Sequence, residues 1–281
     1  MTTPNRTFSS RALIGMVNVT VTALLLMVAH LARADEPPPA APSIESAGGE
    51  DQFLVGTVAP RSASTSVIAM GFGGYDGALR SALVGAASEV AVSSWLTLRA
   101  GFVYIPNAAN EEEGGSASGA TKGLRANLGA RAQLLRQANA GVDGAVAVNY
   151  RQDRFSEDGG LVEGVITVGR RNESLQFLAN AAFAMDAEGD DVEGELRAAG
   201  LYRVATPLNL GVQAIYRRDL GSTDARRPLR TNPDAALTAG PVASYRLGDL
   251  VFMVHGGVSR SERAASTESA TFVIGAVGAS F

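Results

Sequence analysis

From about residue 64 to the C-terminus, apolar and polar side chains alternate with a period of two, in segments of ten or so residues separated by turn-forming residues. This is the period of a β-strand with one apolar and one polar face. The clearest segment sets Leu124, Ala126, Leu128, Ala130, Ala132 and Leu134 against Arg125, Asn127, Gly129, Arg131 and Gln133. A second sets Leu208, Leu210, Val212, Ala214 and Tyr216 against Asn209, Gly211, Gln213 and Arg217, with Ile215 the one exception. Val142, Val146, Val148 and Tyr150 likewise oppose Asp143, Asn149 and Arg151, and Leu196, Ala198 and Tyr202 oppose Glu193, Glu195, Arg197 and Arg203. The pattern predicts twelve strands, at about 64–74, 79–92, 95–105, 123–135, 141–152, 161–170, 175–186, 192–204, 208–218, 235–247, 250–260 and 269–281. No stretch of this region is a candidate transmembrane helix.

A soluble sandwich shows the same alternation, with its apolar faces packed together. The connections separate the two cases. Those after even-numbered strands are short, such as Ser93-Ser94, Ala205-Thr206-Pro207 and Gly248-Asp249. Most of those after odd-numbered strands are longer and more polar, such as 106–122, 152–160, 187–191, 221–234 and 261–268. Short periplasmic turns and longer external loops are the asymmetry of a transmembrane barrel. The tyrosines sort in the same way. Tyr75, Tyr104, Tyr150 and Tyr216 fall near the external strand ends, and Tyr202 and Tyr245 near the periplasmic ends together with Phe281. Amphipathic rings collect at these two interfaces, although ordinary cross-strand aromatic packing would also place some of them there. The fold class predicted is all-β, a transmembrane antiparallel up-and-down barrel of about twelve strands.

The last eleven residues, Thr271 to Phe281, form an uncharged, β-branched and glycine-rich segment that stops on an aromatic. Val273, Gly275, Val277, Ala279 and Phe281 occupy one face, and Phe272 and Ile274 the other. This ending resembles that of bacterial outer-membrane β-barrel proteins, a porin-like class, whose last strand typically finishes on Phe with apolar residues at alternate positions before it. The resemblance implies that the barrel-assembly machinery reads this strand. The chain also resembles autotransporter translocator domains in strand number and terminal Phe, but its N-terminal tether is too short to be a passenger.

At the N-terminus, Arg6 and Arg11 precede an apolar run from Ala12 to Leu31, followed by the small-x-small site Ala32-Arg33-Ala34. We read residues 1–34 as a secretory signal peptide. The run is also long enough to span a bilayer as an uncleaved anchor, and the cleavage site favours removal. Residues 35–62 are rich in Pro, Ala and Ser and read as a periplasmic tether, in which Phe53-Leu54-Val55 stands as a short strand or a plug of the barrel mouth. The barrel would then occupy residues 63–281. Cleavage removes Arg6, Arg11 and Arg33 from 24 basic residues, leaving 21 against 28 acids, a net charge of about −7. That balance argues against nucleic acid as a partner. The absence of cysteine excludes disulfides and cysteine-based metal sites.

On the barrel reading, the polar face points into the lumen. The pore-lining residues expected are Arg99, Arg125, Arg131, Arg151, Glu163, Glu193, Glu195, Arg197, Arg203, Arg217 and Arg246, with Asp143 on the same face. Lipid does not hold such charges cheaply, so the lumen is either hydrated or laced with ion pairs. The membrane-interface residues expected are Tyr104, Tyr150, Tyr202, Tyr216, Tyr245 and Phe281. Ser244 and His255 would lie diagonally on neighbouring strands, but no nucleophile motif surrounds Ser244, and an enzyme is not expected. The acidic runs Glu111-Glu112-Glu113 and Asp186 to Asp191 read as solvated external loops rather than calcium loops. No cofactor or metal is expected. The expected surroundings are outer-membrane lipid and lipopolysaccharide. The function expected is a passive pore for small solutes that prefers anions, the alternative being a structural or surface-interaction barrel closed by its own ion pairs.

Overall fold

A computed structural model of the protein describes residues 66–75, 81–105, 123–151, 160–186, 191–222, 235–263 and 266–280. They form twelve strands: β1 Ser66–Tyr75, β2 Ser81–Ala91, β3 Leu96–Ile105, β4 Gly123–Leu135, β5 Asp143–Arg151, β6 Leu161–Arg171, β7 Leu175–Asp186, β8 Asp191–Ala205, β9 Leu208–Ser222, β10 Ala235–Leu247, β11 Leu250–Arg263 and β12 Ser266–Ser280. Each strand pairs antiparallel with the next, and β1 pairs with β12 from Val67 opposite Ser280 to Tyr75 opposite Phe272. The sheet is therefore a closed barrel. The predicted signal peptide, the 35–62 tether and Phe281 lie outside the described residues.

The even strand count puts the turns at β2–β3, β4–β5, β6–β7, β8–β9 and β10–β11 at the end of the barrel where β1 begins. The tightest is Gly248-Asp249, where Gly248 takes a positive φ of 59° and the strands pair Leu247 with Leu250, Tyr245 with Phe252 and Ser244 with Met253. Positive φ is what a two-residue hairpin needs, and it fixes the register, hence the facing, of both strands. Between β4 and β5 the chain makes a helical turn, α1 Gln137–Ala140, closed by Gly141 at φ 75°. Asp143 Oδ1 accepts from the Gln137 backbone N–H at 2.8 Å and from Gln133 Nε2 at 3.2 Å. The carboxylate expected in the lumen thus holds a turn together. The Gln137 side chain in turn bonds both backbone groups of Arg171 on the next turn.

At the opposite end the structure departs from the sequence expectation. Residues 261–268 were predicted as a loop, yet β11 runs to Arg263 and β12 starts at Ser266, with Arg263 opposite Ser266. Similarly β9 continues to Ser222, and β8 begins at Asp191. Outside a bilayer the outer face need not be apolar, so the alternation fades there while the backbone ladder continues.

Burial follows the predicted period except at the end of β4, where the register shifts between Gln133 and Leu135, so that Leu135 is exposed in place of Leu134 and Ala132 is buried. In β6 the residues from Leu161 to Arg170 alternate buried and exposed without a break. Among the described side chains the exposed set is apolar from β2 to β12, including Leu124, Leu128, Ile166, Leu196, Val212 and Val254. A continuous apolar belt of this extent is a surface for lipid rather than water. Inside, Leu178, Ala199, Leu201, Val242, Met253 and Ala276 form one buried cluster along β7 to β12. Leu201 and Val242 meet across β9 because Gly211 lies between them in register.

Two outcomes follow. Ile166, mid-strand on the outer face and 61% exposed, when replaced by Arg should cost about 2–4 kcal/mol of barrel stability, read as a lower denaturant midpoint in lipid vesicles. A Cβ on Gly257 would collide with the Ala239 carbonyl of β10, whereas one on Gly164 would meet nothing. Gly257→Val should therefore cost about 1–3 kcal/mol by overpacking, and Gly164→Ala should leave the heat-resistant folded band on a gel unchanged.

Candidate functional site

The site is the barrel interior, whose polar side chains come from alternate positions of neighbouring strands. On one wall, Glu89 of β2 stands directly opposite Arg99 of β3. Its carboxylate lies 4.0 Å from Arg99 Nε and 3.5 Å from Arg131 Nη2 of β4. Arg131, opposite Thr97, reaches it diagonally across β3.

A second cluster spans β5 to β9. Glu163 accepts from Asn149 Nδ2 at 3.2 Å and from Arg197 Nη2 at 2.9 Å. Arg197 crosses β7 to do so, and β7 presents only Ala182 and Ala184 beside Glu195, Glu163 and Glu193. Arg197 also bonds Glu195 through Nε. Arg217 Nε lies 3.3 Å from Glu195 and 3.5 Å from Glu193. Alternating signs along this wall let each carboxylate keep partners that desolvation would otherwise take from it.

The two clusters share a geometric feature. In each of these ion pairs the arginine is more exposed than the acid, most clearly where Arg99 is 39% exposed and Glu89 2%. The carboxylates sit against the wall and the guanidinium groups lie over them. Arg203 and Arg246, near the turn end of the barrel, have no carboxylate partner among the described residues.

Of the residues expected in the lumen, the structure thus joins Arg99 and Arg131 in one cluster and Glu163, Glu193, Glu195, Arg197 and Arg217 in another. Arg203 and Arg246 stand apart from both. Arg125 and Arg151 occupy ladder positions of the same register, and their side chains lie outside the described residues. Three inward acids among the described residues were missed, the third being Glu268, opposite the buried Ser261 in a stretch expected to be a loop. Glu89 belongs to a segment of small residues whose alternation is weak, although Val84, Val90 and Val92 share the opposite, exposed face and could have placed it. Asp219, opposite Glu193, lies beyond the expected end of β9.

The β10–β12 wall differs in character. Ser244 Oγ accepts from Asn209 Nδ2 at 3.1 Å, and Thr238 and Ser259 share a hydrogen bond of 3.0 Å. His255 packs edge-on against Phe272, with ring centres 4.8 Å apart, and its Nε2 makes no hydrogen bond. That nitrogen is therefore not joined to Ser244. Tyr104, Tyr150, Tyr202, Tyr216 and Tyr245 are all exposed on the outer face, the first, second and fourth towards the connecting loops and the other two beside turns. No group of described residues has the donors to hold a metal ion.

No family model matches the chain, and no curated protein is significantly similar to it. Solved structures do resemble it. The NanC porin is 9% identical over 75% of this chain and 98% of its own, with a TM-score of 0.55. An outer-membrane channel from Pseudomonas putida F1 is 14% identical over 79% and 96%, at 0.49. The translocator domain of the autotransporter NalP from Neisseria meningitidis is 14% identical over 78% and 89%, at 0.41. Identities this low speak to fold alone, and the fold is that of the porin-like bacterial outer-membrane β-barrels.

Proposed function

We propose that the protein is inserted in the bacterial outer membrane as a narrow passive pore for small solutes, with a preference for anions. The apolar outer belt supports the location, and the charged inner face supports a water-filled path through it. The observation that carries the preference is the layering of the ion pairs, with guanidinium groups over carboxylates. Arginine and acid nearly balance along the inner wall once Glu89, Asp219 and Glu268 are counted, so net charge is a weak guide. What a solute meets first is the more exposed partner, and that is arginine throughout. Fixed cations in a confined, low-dielectric space raise the local concentration of anions, by an amount that salt screens. Residues 1–34 serve this reading as a secretory signal, and the strand ending in Phe281 as the segment that the barrel-assembly machinery engages.

A second reading has a specific observation behind it. Glu89 and Glu163 are almost wholly buried, and so is the apolar cluster around Leu178, Val242 and Met253. On that reading the ion pairs close the lumen and the barrel serves as a structural or surface-interaction protein.

Single-channel recording in a planar bilayer separates the two. The pore reading predicts discrete conductance steps and a reversal potential on the anion side under a salt gradient. Replacing Arg99, Arg131, Arg197 and Arg217 by Ser should move that potential to neutral or to cation preference. An absence of steps, with the same replacements lowering thermal stability, would establish the closed barrel instead.

A further inference from the structure

We infer that the outer face of β9–β12, at the end away from the chain's first strand residues, binds the phosphate group of an outer-leaflet lipid between Arg218 and Arg260. The inference rests on the outer-membrane reading, which makes this end external, and concerns a face of the barrel that the pore does not use.

Arg217 and Arg218 are neighbours in sequence and opposites in facing. Arg217 is inside and ion-paired, and Arg218 is exposed on the outer surface. Arg260 is likewise exposed, between Ser259 and Ser261, which are both buried inside. In the ladder, Arg218 is opposite Gly194 on β8, over which the Leu220 side chain folds, and Ala235 on β10, so the side of Arg218 that faces Arg260 carries nothing larger than a methyl group. Arg260 is opposite Leu237 on β10 and Ser269 on β12. The two arginines are thus separated by one strand, about 12 Å between their backbones with the offset along the ladder included, which two long side chains can close on one headgroup. Along the ladder they differ by one outward position. The tilt of strands in a barrel, about 35–45°, offsets that difference in height.

The chemistry around them is that of an anion site at an interface. Ser269 and Thr271 are exposed on the same outer face of β12 and can donate hydroxyl hydrogens. Tyr216 lies two residues below Arg218 on that face, where an interfacial ring belongs. Glu262, two positions beyond Arg260, is the acid on this face of β11, and it sits further out, towards water. Neither arginine has an ion-pair partner among the described residues. Elsewhere the corresponding surface is apolar, as at Leu124 and Phe183. A guanidinium turned towards lipid without a counter-charge is costly, and a phosphate oxygen pair is the partner its planar fork fits best.

The test uses the full-length barrel purified in mild detergent. Binding of the phosphorylated lipid anchor of lipopolysaccharide is measured by native mass spectrometry, beside its dephosphorylated form and inorganic phosphate. The wild-type protein should hold the phosphorylated lipid about tenfold or more tightly than the Arg218→Ser/Arg260→Ser variant, for the loss of two charge-assisted contacts. The dephosphorylated lipid should bind both proteins equally weakly. Arg170→Ser, on the outer face at the opposite end of β6, should bind as the wild type does. Equal binding by the double variant would overturn the inference, as would displacement of the lipid by millimolar inorganic phosphate, since the ligand would then be the free anion. Both proteins should show the heat-dependent gel shift of a closed barrel. A wild-type protein that is freely soluble without detergent would overturn the membrane reading, and this site with it.

Discussion

Within a bilayer no water is available to satisfy backbone N–H and C=O groups, so a sheet can span it only if every strand has two partners. The pairing of β1 with β12 meets that condition here. It accounts for an even number of strands whose ends return to one side, for tight turns on that side, and for a sequence that runs in strand to its last described residue. It also divides every strand into a face for lipid and a face for the interior. The rest of the structure is the consequence of holding arginines and glutamates on the second face.

Those charges are accommodated by a division of labour between large and small residues. Ala182 and Ala184 let Arg197 reach Glu163 across β7. A buried carboxylate without such a partner would cost several kcal/mol in lost hydration. Because the longer side chain is the cation, the pairing places acids at the wall and guanidinium groups over them. Anion preference on this account is a property of side-chain length as much as of charge count.

The twelve strands and their facing were legible because a bilayer imposes period-two alternation on both faces at once, apolar outward and polar inward. The Gly248-Asp249 turn carried a register that could be read directly, and Leu247, Tyr245 and Ser244 pair as its geometry required. Three features were not legible, for identifiable reasons. Glu89 lies among Ala and Gly residues that carry little facing information. Asp219 and the Arg263–Ser266 end of the last hairpin lie where the outer face meets water, and there the ladder is held by backbone bonds that leave no mark in hydrophobicity. Asp143 keeps the predicted parity, yet its carboxylate is engaged by the α1 turn, a local hydrogen-bonding choice that alternation does not encode.

A lipid-facing belt and a polar interior alternate residue by residue along the strands, and every other feature follows from that alternation. The protein has no cysteine, so single cysteines can be placed at successive positions 195 to 202 of β8 and reacted in vesicles with a charged, membrane-impermeant thiol reagent. The account predicts reaction at the inward positions, strongest at 195 and 197, and protection at 196, 198 and 202. Labelling without alternation, or the reverse pattern, would contradict it.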